Sequence, residues 1–291
     1  MKRQWQRNYL YTSASKAPLT LLGLLVVSAA LLFLGSMILP APAFAAKDDP
    51  QARKIMEKVR DRDDGDKQTS EMEMVLIDKN KNTRERRIRS FRQDKGKDTL
   101  TIMFFETPAD VKGTGFLTYD YDETGKDDDQ WLFLPALRKS KRIASSDKSG
   151  SFMGTDFNYS DMTDRDLEDY DFTLMKEVKV NGLPTWQIQS IPRNKDVAEE
   201  SGYSKGVIWV RQDNHVVIRG VNWVNKSHRR KYFQVKKLEQ IDGIWVAMEL
   251  QMTTKEGKKT VHSTVIRFNN VKFNQPLDEN MFTVRQLEKG L

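Results

Sequence analysis

From residue 50 onward the hydrophobic positions fall into two periods. In residues 50–62, PQARKIMEKVRDR, the side chains of Ala52, Ile55, Met56 and Val59 recur at helical spacing. Pro50 stands where a helix begins, so an amphipathic helix is expected there. After Asp61 the period shortens to that of strands. The runs are Met72–Asp78, Thr83–Gln93, Asp98–Phe105, Gly115–Tyr121, Asp129–Leu134, Phe172–Val180, Pro184–Ile191, Gly206–Arg211, His215–Val224, Arg229–Leu238, Ile244–Thr253 and Lys259–Phe268. Short turn signals separate them: DKNKN, DKGK, Asn181-Gly182, Asp213-Asn214, Asp242-Gly243 and EGKK. Many successive strands joined by short connections, without alternating long helices, predict an antiparallel meander. The expected class is mainly β with a few helices. About eleven strands suggest one large, strongly curved sheet or an open barrel.

Several strands are apolar on both faces. In Asp98–Phe105, Leu100, Ile102 and Phe104 point one way while Met103 and Phe105 point the other, and all of Trp131–Leu134 are large and hydrophobic. An antiparallel sheet needs only one buried face, so helices, a partner or a ligand must cover the second.

The N-terminus has a different pattern. Residues 1–18 carry Lys2, Arg3, Arg7 and Lys16 and no acid, and Leu19–Leu39 is uncharged. Ala43-Phe44-Ala45 then matches the A-x-A of a cleavage site, so residues 1–45 read as a secretory signal. The apolar run is also long enough to span a bilayer, and an uncleaved inner-membrane anchor is the rival reading. Either way residues 46–291 form one exported domain, expected in the periplasm. The chain's formal charge of +7 falls to +3 without the four leader cations, so its basicity is weak evidence for nucleic acid. The absence of cysteine excludes disulfides, thiolate catalysis and Cys-based zinc sites.

Chemistry-bearing motifs are missing. His215, His228 and His262 show no metal-ligand spacing, and no nucleophile elbow or phosphate loop occurs. The acid-rich Ser160–Asp171 lacks the order of a calcium loop, and Asp127-Asp128-Asp129 reads as a solvated turn. No catalytic residue, metal or cofactor is assigned. Trp223–Tyr232, WVNKSHRRKY, interleaves cations with aromatics, but export argues against nucleic acid.

Three blocks are distinctive: PADVKGTGFL (Pro108–Leu117), DDQWLFLPALRKSKRI (Asp128–Ile143) and GSFMGTDFNYSDM (Gly150–Met162). With the leading helix and the long meander, they resemble the outer-membrane lipoprotein-sorting protein family of the LolA/LolB-like superfamily, from about residue 50 to the C-terminus. The resemblance implies an open half-barrel with helices covering its concave face. It also implies a monomeric carrier or chaperone that takes acyl chains of lipoproteins or other lipids toward the outer membrane without catalysis. The alternative it implies is a receptor or adaptor docking on an RND-type lipid exporter, or a lipid sensor. An outer-membrane receptor is a further implied partner.

An acyl carrier needs an apolar hollow that its own side chains leave partly unfilled, since each buried methylene contributes about 0.8 kcal/mol. Flexible methionines and broad aromatics suit such a lining. The candidates are Met74, Met103, Phe105, Trp131, Phe133, Phe152, Met153, Trp209, Trp223 and Met248. Trp131–Leu134 should end at Pro135. Arg138, Lys139, Lys141 and Arg142 should then continue as an edge or second strand that meets head groups or a partner. Ser145–Gly154 is expected as a mobile loop presenting Phe152 and Met153 at the cavity mouth. Ser160–Leu167 is expected as a lid helix capped by Ser160 or Thr163.

Overall fold

The computed structural model describes residues 48–291, so the leader expected over residues 1–45 lies outside the described residues. Helix α1 (Pro50–Arg60) opens the described chain, with Asp49 as its N-cap and Pro50 in its first turn. Six strands follow: β1 (Lys67–Asp78), β2 (Thr83–Lys95), β3 (Asp98–Thr107), β4 (Gly115–Asp120), β5 (Asp129–Leu134) and β6 (Lys139–Arg142). A long irregular connection leads to β7 (Tyr170–Val180) and β8 (Leu183–Pro192), then α2 (Lys195–Ser201). The chain continues through β9 (Tyr203–Arg211), β10 (Val217–Val224), β11 (Arg229–Ile241), β12 (Ile244–Glu256), β13 (Lys259–Phe273) and α3 (Val284–Lys289). Among the described residues no helix is long and apolar enough to cross a membrane.

All thirteen strands form one antiparallel sheet in the order β6-β5-β4-β3-β2-β1-β13-β12-β11-β10-β9-β8-β7. It consists of two meanders sealed by the pairing of β1 with β13, where Met74 faces Ile266. The sheet is not closed. Its free edges are β6, which is four residues long and mostly charged, and β7. The N-terminal end of β7 is masked by the chain before α1, where Asp49 N–H donates to Phe172 O and Phe172 N–H to the Asp48 carboxylate, each at 2.8 Å. Asn181-Gly182 and Asp242-Gly243 turn their hairpins with positive φ at both residues, as a two-residue type I′ turn requires.

Strands β6 and β7 are consecutive in sequence yet lie at opposite edges of the sheet, so residues 143–169 must cross from one edge to the other. This strap runs through the inside of the curve. The Tyr159 carbonyl accepts from Gln130 of β5, while the adjacent Asn158 side chain accepts from Lys231 of β11. In a flat sheet, seven strand spacings of about 4.8 Å would hold β5 and β11 roughly 34 Å apart. Neighbouring residues can bond to both strands only because the sheet rolls round the strap into an open half-barrel.

The strap contains no α-helix. The lid helix expected over Ser160–Leu167 is instead a set of 3-10 turns, at Ser145–Asp147, Phe152–Gly154, Tyr159–Asp161 and Leu167–Asp169. Asn158, rather than Ser160 or Thr163, provides the cap, in a reciprocal capping box with Asp161. Helix α1 covers the same face further along, with Ala52 and Ile55 buried against Tyr170, Phe172, Ile188 and Val210. The opposite face is covered at one end by α3, where Leu287 packs on Ile102, Phe104 and Leu117. A Cβ at Gly115 would lie 2.5 Å from Leu287, so only glycine lets α3 sit this close to β4.

A buried segment without regular structure must find side-chain partners for its polar groups. Asp156, 3% exposed, is the densest such point. Its carboxylate accepts from the hydroxyls of Thr254 and Thr264 and contacts His262 Nδ1 at 2.7 Å, while its N–H donates to Thr264 Oγ1. Replacing Asp156 by Ala strands two strand hydroxyls and frees the strap, and should cost about 3 kcal/mol. Chemical denaturation would measure this; a loss within about 0.5 kcal/mol would mean that the strap is held elsewhere.

Candidate functional site

The strap lies against the apolar surface expected of a ligand hollow. Met74 of β1, Met103 and Phe105 of β3, Phe116 of β4 and Leu132 of β5 form one cluster with Phe152 and Phe157 of the strap. Phe152, 1% exposed, lies at its centre, with ring centroids 4.9 Å from Phe116, 5.6 Å from Tyr159 and 6.3 Å from Phe105. The loop expected to present Phe152 at the cavity mouth carries it into the core, and Met153 is half-buried on the same cluster. The hollow expected to be partly empty is filled, among the described residues, by the strap's own aromatics.

Cross-strand register separates the sequence candidates. Met103, Phe116 and Leu132 share one row, whereas Ile102, Leu117 and Trp131 share the next, on the other face. Trp131 and Phe133 accordingly pack beneath α3 and do not line the strap's side. Trp209 belongs to a separate cluster with Val180, Val216 and Ile218, and Met248 to another around Ile244, Val271 and Phe273. Trp223 stands between cations, with Lys205 Nζ 4.2 Å and Arg230 Cζ 5.2 Å from its ring centroid. Of the ten, Met74, Met103, Phe105, Phe152 and Met153 are brought together. The expected basic strand is real, and Arg138, Lys139, Lys141 and Arg142 are all exposed. Arg142 pairs with Asp129 and Lys141 with Asp147.

Three buried cations around the strap were not anticipated. Arg86 of β2, 8% exposed, donates to the Met153 carbonyl at 2.7 Å and has no carboxylate in ion-pair range among the described residues. Burial lowers its pKa, and the charge of Asp110 opposes this only in part. Lys148, 3% exposed, pairs with Glu200 of α2 at 2.6 Å, and Lys231 reaches Asn158 at 2.6 Å. For two of them the sequence signal was strand phase: Arg86 shares its phase with Ile88, and Lys231 with Phe233.

An open cavity of the described residues lies elsewhere and has the opposite chemistry. It has a volume of about 690 Å³ and is lined by the ends of β2–β4, by the β4–β5 connection, by α2 and by the last third of the strap. Asp64, Asp94, Asp120, Asp128, Asp161 and Asp164 face it, with Arg92 and Arg165. This lining suits no acyl chain. Among the described residues no three acidic or histidine side chains are arranged to hold a metal ion.

Comparison with known proteins agrees with the architecture. A family model described as "Uncharacterized protein" matches residues 97–289. A solved structure described as a "putative outer membrane lipoprotein-sorting protein domain", from Vibrio parahaemolyticus, is 31% identical. It covers 82% of this chain and 98% of its own, with a TM-score of 0.73. A DUF1329 family protein from Desulfovibrio piger is 26% identical over 83% of this chain and 99% of its own, with a TM-score of 0.75. A LolA superfamily protein from Nitrosomonas europaea shares the fold, at 17% identity over 80% and 97% of the two chains and a TM-score of 0.59. No curated protein matches the sequence.

The acid cleft makes stability depend on pH. Burial, and then the charges of Asp128 and Asp164, push the Asp120 carboxyl up to about 8. A group whose folded pKa is raised supports the fold while protonated and loses that contribution as pH climbs through the folded value. Asp120→Asn keeps an acceptor for the Asp164 N–H, which lies 2.6 Å away, and removes the charge. The variant should melt with the wild type near pH 4 and increasingly above it toward pH 8. An equal gain at both pH values, read by thermal denaturation, would show that ionisation of Asp120 is not responsible.

Proposed function

Because the chain belongs to the outer-membrane lipoprotein-sorting protein family, we propose that it is a periplasmic carrier whose strap occupies the acyl-chain site until cargo displaces it. The observation that carries this reading is the placement of Phe152 and Met153. The segment covering the concave apolar surface is irregular, and strand side chains bond several of its polar groups. Such a cover can leave without dismantling the sheet. The surface it would leave, formed by Met74, Met103, Phe105, Phe116 and Leu132, has the chemistry of an acyl-chain lining, and the methionines tolerate chains of varied shape. Withdrawal of Met153 would also release Arg86, a cation without a carboxylate partner, to meet an anionic head group.

Self-occupation also answers a thermodynamic difficulty. At about 0.8 kcal/mol per methylene, two or three acyl chains would bind too tightly to be handed on. A competent state reached only after expelling Phe152 lowers the apparent affinity by the fraction of molecules in that state. No step of this cycle needs catalysis, a metal or a cofactor. The filled hollow equally suits the second reading, a receptor or adaptor that docks on an RND-type exporter without carrying lipid itself.

Phe152→Ala separates the two readings. It should destabilise the protein by about 3–4 kcal/mol, as removal of a core phenylalanine does. The same variant should bind a fluorescent fatty-acid probe at least about tenfold more tightly, because the internal competitor is gone. Cysteines placed at Asp156 and Thr264, whose side chains meet at 2.7 Å, would tether the strap in a chain that has no other thiol. The oxidised form should not bind the probe, and reduction should restore binding. If neither the wild type nor Phe152→Ala binds the probe, and no lipid is extracted from protein purified from periplasm, the adaptor reading replaces the carrier.

A further inference from the structure

The outer face of the sheet bears a row of side chains that the carrier reading does not use. Lys205 of β9, Trp223 of β10, Arg230 of β11 and Lys255 of β12 lie directly opposite one another in register across four adjacent strands. The paired residues Asn222 and Lys231 lie one position out of phase, and Lys231 reaches the strap, so this row faces away from the hollow. Lys205 and Arg230 approach the Trp223 ring from its two neighbouring strands. Lys255 Nζ lies 5.0 Å from the Tyr232 ring centroid. Among the described residues none of the three cations forms an ion pair. Their neighbours Lys226 and Arg229, at the same end of the sheet, are paired with Glu199 and Glu256. Exposed Lys258 and Lys259 extend the positive charge along that rim.

We propose that this row is a docking surface for an anionic phospholipid membrane, with Trp223 and Tyr232 at the depth of the head groups and Lys205, Arg230 and Lys255 on the lipid phosphates. Tryptophan and tyrosine prefer the membrane–water boundary because each has an apolar body and a polar tip. Unpaired lysine and arginine gain attraction from an anionic surface without first breaking an ion pair. A sheet face offers these groups on one broad surface, as a bilayer requires. The same residue types also suit single-stranded nucleic acid, which binds by stacking bases on aromatic faces. Here a cation from each flanking strand already lies over the Trp223 ring, so a base would have to displace one to stack on it.

The test is co-sedimentation of the full chain with vesicles of phosphatidylcholine and phosphatidylglycerol in equal parts, and with vesicles of phosphatidylcholine alone. Residues 1–45 are common to every protein compared, so a difference between them isolates the row. The triple variant Lys205→Gln, Arg230→Gln, Lys255→Gln should bind the anionic vesicles about a hundredfold more weakly than the wild type and the neutral vesicles equally. Trp223→Phe should lose the part of the vesicle-induced blue shift in tryptophan fluorescence that the wild type gains only from anionic lipid. Equal binding of wild type and triple variant to anionic vesicles would overturn the proposal. So would a single-stranded oligonucleotide bound by the wild type more tightly than the vesicles and lost in the triple variant. Fatty-acid probe binding should be the same in the triple variant and the wild type, so failure of the membrane surface and failure of the carrier reading are read separately.

Discussion

The fold depends on hydrogen bonding a buried segment that has no regular structure. The 143–169 strap joins the two edges of the sheet through its hollow, and water cannot serve its backbone there. Strand side chains take over: Gln130 on the Tyr159 carbonyl, Arg86 on that of Met153, and Thr264 on the Asp156 N–H. These bonds come from strands far apart in the sheet order, so making them at once requires the sheet to roll. Curvature, burial of the strap and concealment of the apolar surface are one constraint seen from three sides. Pairing of β1 with β13 permits the curve, but the polar contacts of the strap fix its radius.

The same constraint explains why charged side chains occur inside a protein of this kind. Lys148, Lys231, Arg86 and Asp156 would each be costly in an apolar interior. Arg86 and Lys231 bond to strap groups that would otherwise be unsatisfied, Asp156 ties the strap to β12 and β13, and Lys148 ties it to α2. A cover fastened by such points differs from one fastened by apolar packing. Its bonds can be exchanged for water or for a polar head group, whereas apolar contacts are made good only by another apolar molecule. A lipid supplies both kinds of replacement: chains for the space of Phe152 and an anion for Arg86.

Strands and hairpins were legible in the sequence because their signals are local. Period-two alternation and Asn-Gly or Asp-Gly turns placed twelve strands, mostly short at one end by a few residues, as with β1 and β13. What alternation cannot supply is which face becomes the inside. Met103 and Trp131 were equally plausible as lining, and only the register of β3, β4 and β5 assigns them to opposite faces. The strap was the hardest part to read. A single Phe between Ser, Gly and Met has no periodicity, so its burial follows from topology alone, specifically from β6 and β7 occupying opposite edges. The expected lid helix failed for a related reason. Ser160 and Thr163 are of the residue types that favour caps, but Asn158 and Asp161 close a 3-10 turn first. Helices α2 and α3 are too short to establish a period, although Asn194 and Thr283 mark their starts as N-caps.

A formal charge of only +3 over residues 46–291 conceals a marked segregation. Acids gather in the cleft at the ends of β2–β4, where burial keeps the Asp120 carboxyl protonated well into the neutral range. Unpaired cations gather on the outer face of β9–β12. An anionic bilayer would attract one region and repel the other, so the molecule carries an orienting dipole as well as a docking row. For a carrier this matters more than affinity. A protein held by its outer sheet face keeps the strap and the hollow directed away from the plane of the membrane, where a second protein could reach them. Cargo entering from the bilayer itself would then have to come round the rim formed by the β10–β11 and β12–β13 turns. That rim bears His228, Lys258 and Lys259, side chains suited to guiding a head group rather than an acyl chain.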